Sequence, residues 1–201
     1  MPPTSRPVPV DADVPFGIEE LFFSATDRKG RILEGNDVFQ RVSGMPRDVL
    51  IGSPHNVVRH PDTPRAIFRL LWQRLQQGLP IAAYVKNISA DGRFYWVMAV
   101  AVATPDGYLS VRLKPVSSEF GAVPALYARV RDVERAHEAE GADVREVATA
   151  GLGALMAELG AAGFADYSAF ERAVLPAEIR ARAAALAGSA SVRSHVPAIA
   201  D

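Results

Sequence analysis

IAAYVKNISADGRFYWVMAVAVATPDGYLSVRLKPV, running from Ile81 to Val116, decides the fold. It holds three apolar, β-branched and aromatic runs, Ile81 to Ser89, Phe94 to Ala103 and Tyr108 to Val116, separated by Asp91-Gly92 and Pro105-Asp106-Gly107. An Asp-Gly pair between strand-like runs is a strong hairpin signal, because the tight turn needs a positive φ that Gly adopts without steric cost. The stretch predicts three consecutive antiparallel strands.

Upstream, Leu21-Phe22-Phe23-Ser24-Ala25-Thr26, the turn cluster Asp27-Arg28-Lys29-Gly30 and Arg31-Ile32-Leu33 predict a strand, a turn and a second strand. From Asn36 the spacing becomes helical, with Val38, Phe39 and Val42 on one side and Gly44 as the stop. Pro46 to Val58 mixes turn formers with apolar residues and reads as single-turn helices. Thr63-Pro64 then offers an N-cap and a first-turn proline ahead of Ile67, Phe68, Leu71, Trp72 and Leu75, a helix ending near Gly78. Two strands, short helices, one longer helix and a meander predict an α+β fold: a five-stranded antiparallel sheet with helices on one face and a cavity between them.

Beyond Glu119 the chain turns to alanine, glutamate and arginine with helical period. Val123, Leu126, Val130 and Val133 trace a short coiled-coil seam; Val144, Val147, Gly151, Leu155 and Leu159 repeat the spacing on a second helix. A third helix is expected after Pro176, with Ile179, Ala183 and Leu186 on one side, and Gly141 and Gly160 to Gly163 as the breaks.

The 22 basic and 23 acidic residues leave a net charge of −1, so no broad attraction to nucleic acid or anionic lipid is expected and function must come from a local site. The absence of cysteine excludes disulfides, thiolate metal sites and thiol nucleophiles, and is compatible with a reducing cytoplasm. Five prolines in the first fifteen residues and no long apolar run argue for a disordered leader rather than a signal peptide. The longest apolar run, Phe94 to Ala103, is far short of the roughly 20 residues a membrane helix needs, so no membrane insertion is expected. No Ser-His-Asp order, phosphate loop or metal-ligand spacing argues for catalysis.

Local chemistry concentrates in Pro54-His55-Asn56-Val57-Val58-Arg59-His60-Pro61-Asp62-Thr63-Pro64. A guanidinium and a helix N-terminus both favour an anion, and Phe68 and Trp72 on the next helix supply flat apolar surface against which a planar ring packs. Without further context Phe68 and Trp72 read equally as core residues, Arg59-His60 as a local cap, and His55 as structural unless the cavity holds haem, whose iron imidazole ligates.

Asn36-Asp37-Val38-Phe39, Gly52-Ser53-Pro54-His55-Asn56, Arg59 to Pro64, Phe68, Leu71-Trp72, Val85-Lys86-Asn87 and Tyr95-Trp96-Val97 together resemble the PAS domain of aerotaxis (Aer-type) receptors, in order and spacing, over Phe16 to Ser118. The resemblance implies a PAS fold at 16–118, between a disordered leader at 1–15 and a helical output or dimerisation segment at 119–188 followed by a disordered tail at 189–201. It implies FAD as a redox sensor, with haem or an unliganded pocket as alternatives. Asn36, Arg59, His60, Asp62, Phe68, Trp72, Asn87 and Tyr95 would line or support the site. It implies no enzyme but a cytoplasmic homodimer signalling in trans to a chemotaxis receptor or histidine-kinase complex. Where many relatives have tryptophan and glycine early in the third strand, this chain has Ile81 and Ala83, so one aromatic contact is missing.

Overall fold

In the computed structural model, which describes residues 6–193, the upstream hairpin is β1 (Leu21–Asp27) and β2 (Ile32–Gly35). The meander is β3 (Ile81–Ile88), β4 (Phe94–Ala103) and β5 (Gly107–Leu113). The strands make one antiparallel sheet in the order β2-β1-β5-β4-β3, so β3 is an edge. Gly92 makes the β3–β4 turn at φ 90° as expected. Gly107 does not have positive φ; a Cβ there would collide with the Thr26 carbonyl oxygen across the β1–β5 ladder, so glycine is needed for close backbone approach.

Between β2 and β3 lie α1 (Asp37–Ser43), α2 (Arg47–Leu50), a 3₁₀ turn at His55–Val58 and α3 (Arg65–Gln76). Helix α1 ends at Gly44 in the left-handed region, φ 65°, where the spacing placed its stop. Helix α3 departs from expectation at its start. Thr63 does not cap it: its hydroxyl donates to the Lys86 carbonyl at 2.6 Å and accepts from the Lys86 N–H at 3.1 Å, serving the β3 edge instead.

The C-terminal segment forms α4 (Val123–Ala139), α5 (Val144–Ala161) and α6 (Tyr167–Arg193). Asp143 and Glu146 close a capping box on α5. The α4 seam is buried within this chain: Val123, Leu126 and Val130 join Tyr84, Met98, Leu155 and Leu159 in one cluster, leaving Val133 at its margin. Helix α6 corrects two expectations. It begins nine residues before Pro176, which it carries internally, and it buries Tyr167, Val174, Ala177 and Glu178 while Ile179 is 54% exposed. It also continues to Arg193, so residues 189–193, expected to open a disordered tail, are helical; 194–201 lie outside the described residues.

The expected leader is likewise partly ordered. Val10 N–H donates to Gly92 O at 2.8 Å, Val14 N–H to Phe94 O at 2.7 Å, and Val14 and Phe16 are buried against Phe22 and Tyr95. The residues that pair with the start of β4, Val10 to Val14, carry no proline and keep their N–H groups; residues 1–5 lie outside the described residues. No helix among the described residues is long and apolar enough to cross a membrane.

Candidate functional site

A cavity of about 270 Å³ lies between the sheet and α3. Register places Ser24 and Thr26 of β1, Tyr108, Ser110 and Arg112 of β5, Ala99 and Ala101 of β4, and Val85 and Asn87 of β3 on one face of the sheet, and all of them line it. Helix α3 closes the other side with Phe68, Leu71, Trp72 and Leu75. The 3₁₀ turn contributes His55 and Asn56, with Arg59 just after it. Trp72 stands edge-on to Tyr108, ring centroids 5.3 Å apart at 72°.

The structure brings four of the eight residues expected at the site to the cavity: Arg59, Phe68, Trp72 and Asn87. Arg59 is held by its own segment, donating to Thr63 O at 3.1 Å with its guanidinium 4.4 Å from the Phe68 ring centre. Burial and then the charge of Arg65 lower its pKa to about 10, so it stays a cation. Asn87 is 3% exposed, and its amide makes no hydrogen bond to protein among the described residues.

The other four lie elsewhere. Asn36 caps α1: its Oδ1 accepts from the Phe39 and Phe23 N–H groups, both at 3.1 Å, and its Nδ2 donates to Leu21 O at 2.8 Å, so all of it ties β1 to α1. His60 is buried edge-on to Phe94, its Nδ1 accepting from Asp62 N–H at 3.1 Å. Burial and then Lys86 lower its pKa to about 4, so it is neutral. Asp62 turns outward to Lys86 Nζ at 2.8 Å and to Arg135 of α4 at 3.4 Å; burial opposes its ionisation, but the Lys86 ammonium and the Arg135 guanidinium outweigh that and hold its pKa down. Tyr95 shares the cavity face of the sheet, opposite Asn87, but packs against Phe16 and Phe22 beyond the end of the cavity and does not line it. Position in a motif does not say which face of an irregular segment looks inward, so these residues could at most support the cavity from outside its lining.

The residue missed is Arg112. It is 6% exposed, has no carboxylate partner among the described residues, and donates to Ser24 Oγ at 2.9 Å and to His55 Nε2 at 2.7 Å. Burial lowers its pKa to about 10. For that bond His55 must be the neutral tautomer protonated on Nδ1, and burial followed by the Arg112 charge lowers its pKa to about 3. The ring stacks on Phe39, 5.9 Å and 4°. With Nε2 committed to Arg112, His55 offers the cavity no free imidazole lone pair, which removes the basis for haem ligation. The cavity thus presents two guanidinium groups without a carboxylate, a free amide and two aromatic walls, suited to a planar ligand rich in hydrogen-bond acceptors.

A family model described as PAS fold matches residues 22–116. This segment is a PAS domain. The chain is 38% identical to the aerotaxis receptor of Escherichia coli (strain K12) over 129 residues, which is 62% of this chain and 26% of that protein. It is 29% identical to the biofilm dispersion protein BdlA of Pseudomonas aeruginosa over 82 residues, 40% of this chain and 20% of that protein. The chain therefore spans about a quarter or less of the length of these relatives. The light-state structure of the blue-light photoreceptor Aureochrome1 LOV is 21% identical with a TM-score of 0.45, covering 52% of this chain and 88% of that one. The PAS domain is a signalling domain rather than a catalytic one.

Proposed function

We propose that the chain is a PAS signal-transduction protein that senses redox, oxygen or energy state through FAD held by its PAS cavity, and that it conveys that state through the C-terminal helices to a chemotaxis or kinase partner in the cytoplasm. The observation that carries this reading is Asn87: its amide opens onto the cavity from a residue only 3% exposed overall and has no protein partner among the described residues, leaving its donor and acceptor to a cavity occupant. Similarity to an aerotaxis receptor supports the same reading.

The residues present fit the ring end of a flavin. The cavity volume, near the lower end of ordinary ligand pockets, suits a tricyclic ring system rather than a whole dinucleotide. Trp72 and Phe68 would pack on it, and Arg59, Asn87 and Arg112 would meet its polar edge. Bound there, the flavin supplies electron acceptance coupled to protonation of its ring. Asn87 can donate or accept at one position by turning its amide, so it can report a change from acceptor to donor on its ligand. Arg112, fixed by Ser24 and His55, cannot reorient without leaving both and serves as the rigid reference.

The test is the visible spectrum of freshly purified protein, then again after reconstitution with FAD. Trp72→Ala and Arg59→Ala are expected to weaken FAD binding by about tenfold or more, and Asp62→Ala, outside the cavity, to leave it nearly unchanged. Wild-type protein that neither carries flavin nor takes it up overturns the proposal.

A further inference from the structure

The cavity is lined by three basic side chains, the exposed Lys29, Arg59 and the buried Arg112, and by no aspartate or glutamate among the described residues. A buried cation is ordinarily paired, because taking a charge out of water without a counter-charge is costly.

The buried acids that could supply one are engaged elsewhere. Glu134 of α4 and Glu178 of α6, both with 0% exposure, hold backbone outside the cavity. Glu134 accepts from the N–H groups of Arg65 at 2.9 Å and Ala66 at 2.8 Å, capping α3 where Thr63 does not, and from Arg131 Nη1 at 2.6 Å. It also acts on Arg59 from a distance, against Arg65, Arg131 and Arg6, which carry like charge. Glu178 anchors the chain after β5, accepting from the N–H groups of Val116 at 2.8 Å and Ser117 at 3.1 Å, and from the Ser117 and Tyr84 hydroxyls, each at 2.8 Å. Glu171 accepts from Ala82 N–H on the outer side of β3, where Tyr127 donates to Tyr84 O at 2.6 Å and Tyr167 to Ala82 O at 2.9 Å. These three side chains seal the β3 edge, which would otherwise offer its backbone to any passing strand.

The groups that Arg112 meets are neutral. Ser24 Oγ and His55 Nε2 take two of its five N–H groups, and His55 cannot be a cation's counter-charge in any form. Burial pushes the Tyr95 phenol up, so it supplies no anion. The Phe39 ring centre lies 5.6 Å from the guanidinium carbon, a contact that attracts a cation without neutralising it. Register sets Arg112 beside Ala99, whose small side chain leaves space next to it, and places Asn87 on the same wall two strands away.

We propose that Arg112 makes the cavity select its occupant by negative charge: a planar ligand that presents an anion to the buried guanidinium is held in preference to a neutral ligand of the same shape. A charged acceptor bonds a guanidinium more strongly than a neutral one, and the more so where water is excluded. The proposal rests on the reading that the cavity takes a planar ligand, but not on that ligand being FAD. Where it is FAD, the reduced ring, having taken up two electrons and one proton, carries one negative charge and is held more tightly than the neutral oxidised ring. By linkage, the midpoint potential of the bound flavin is then higher than it would be without Arg112.

The test titrates the full chain, freed of ligand, with naphthoate and naphthamide, which share a flat body and differ in charge. Naphthoate is expected to bind wild type about tenfold or more tighter. Arg112→Met and Arg112→Gln should cut that preference to about threefold or less with naphthamide nearly unchanged, and Arg112→Lys, which keeps the charge, should retain it. An Arg112 that only braces β5 against the His55 turn would weaken both probes together. Equal affinity of wild type for the two probes overturns the proposal, whether or not any variant folds. With FAD bound, a dithionite titration should give a lower midpoint in Arg112→Met, by about 30 mV for each tenfold of lost preference in a two-electron couple. Preference for naphthoate in a chain that takes up no FAD removes the flavin reading and keeps the charge selection. If FAD binds and the probes do not, the midpoint decides, and an unchanged value overturns the proposal. A wild-type chain that binds none of the three overturns both readings.

Discussion

Glu178→Ala puts the packing argument to its hardest test. The carboxylate serves four donors, two of them backbone N–H groups fixed by the chain and two of them hydroxyls that can turn elsewhere. A buried donor left without a partner costs about 1–3 kcal/mol. Counting only the two fixed N–H groups gives about 2–6 kcal/mol, and any water entering the space left by the side chain moves the result towards the lower end. Tyr84→Phe removes a single hydroxyl donor and should cost about 1 kcal/mol. In the double variant the Tyr84 loss should shrink, because its acceptor is already gone, giving a coupling of about 0.5–2 kcal/mol. Urea unfolding followed by far-ultraviolet circular dichroism supplies all four values. Fluorescence adds a local probe, since Trp96 packs on Phe120 and Tyr127 at the helix junction whereas Trp72 lies in the cavity wall. Glu178→Ala within about 0.5 kcal/mol of wild type, the range of an ordinary surface substitution, would refute the assignment of Glu178 as an anchor.

Three further outcomes are expected. The unfolded chain protonates His55 near pH 6.5 but the folded chain only near pH 3, so the unfolded state carries the extra proton in between. Stability is therefore full above pH 6.5 and declines as pH falls, by up to about 2 kcal/mol at pH 5, and urea midpoints against pH should lose this component in His55→Gln. Asn36→Ala should lower stability by about 1–2 kcal/mol through loss of the α1 cap, yet leave FAD affinity unchanged in titrations of folded protein; a matching loss of affinity would return Asn36 to the site. Gly107→Ala should cost about 1–3 kcal/mol or more in thermal unfolding, because its Cβ meets backbone rather than a movable side chain.

The sheet and the helix order were legible because their signals are local: Asp-Gly turns, alternation, the Asn36 and Gly44 ends of α1. Arg112 was not, for a reason specific to β5. Tyr108, Ser110 and Arg112 alternate with Leu109, Val111 and Leu113, and alternation ordinarily assigns the polar set to solvent and the apolar set to the core. Here the polar set faces the cavity, and Leu109 is left 37% exposed on the outer face. A wet or liganded interior reverses the rule. Within the Arg59 to Pro64 motif, composition could not divide Arg59, which lines the cavity, from His60, which is buried against Phe94, and Asp62, which turns outward. The helical period of α4 and α5 was plain, but a seam does not name its partner, and the partner is this chain's own sheet. On α6 Pro176 suggested a beginning, since proline favours a first turn, but the helix starts at Tyr167, just after the Gly160 to Gly163 break, where Asp166 Oδ1 accepts from the Ala169 N–H at 2.7 Å.

The sealed β3 edge also sets where the molecule can be cut. A chain ended at Ser118 would keep every residue of the matched family segment, yet strip Tyr127, Tyr167 and Glu171 from an eight-residue edge strand. Such a fragment would behave as a sticky half, pairing edge to edge or precipitating, and dimers seen in it would report the cut rather than the protein. The matched family segment and the unit of solubility do not coincide here, and the second extends through α6.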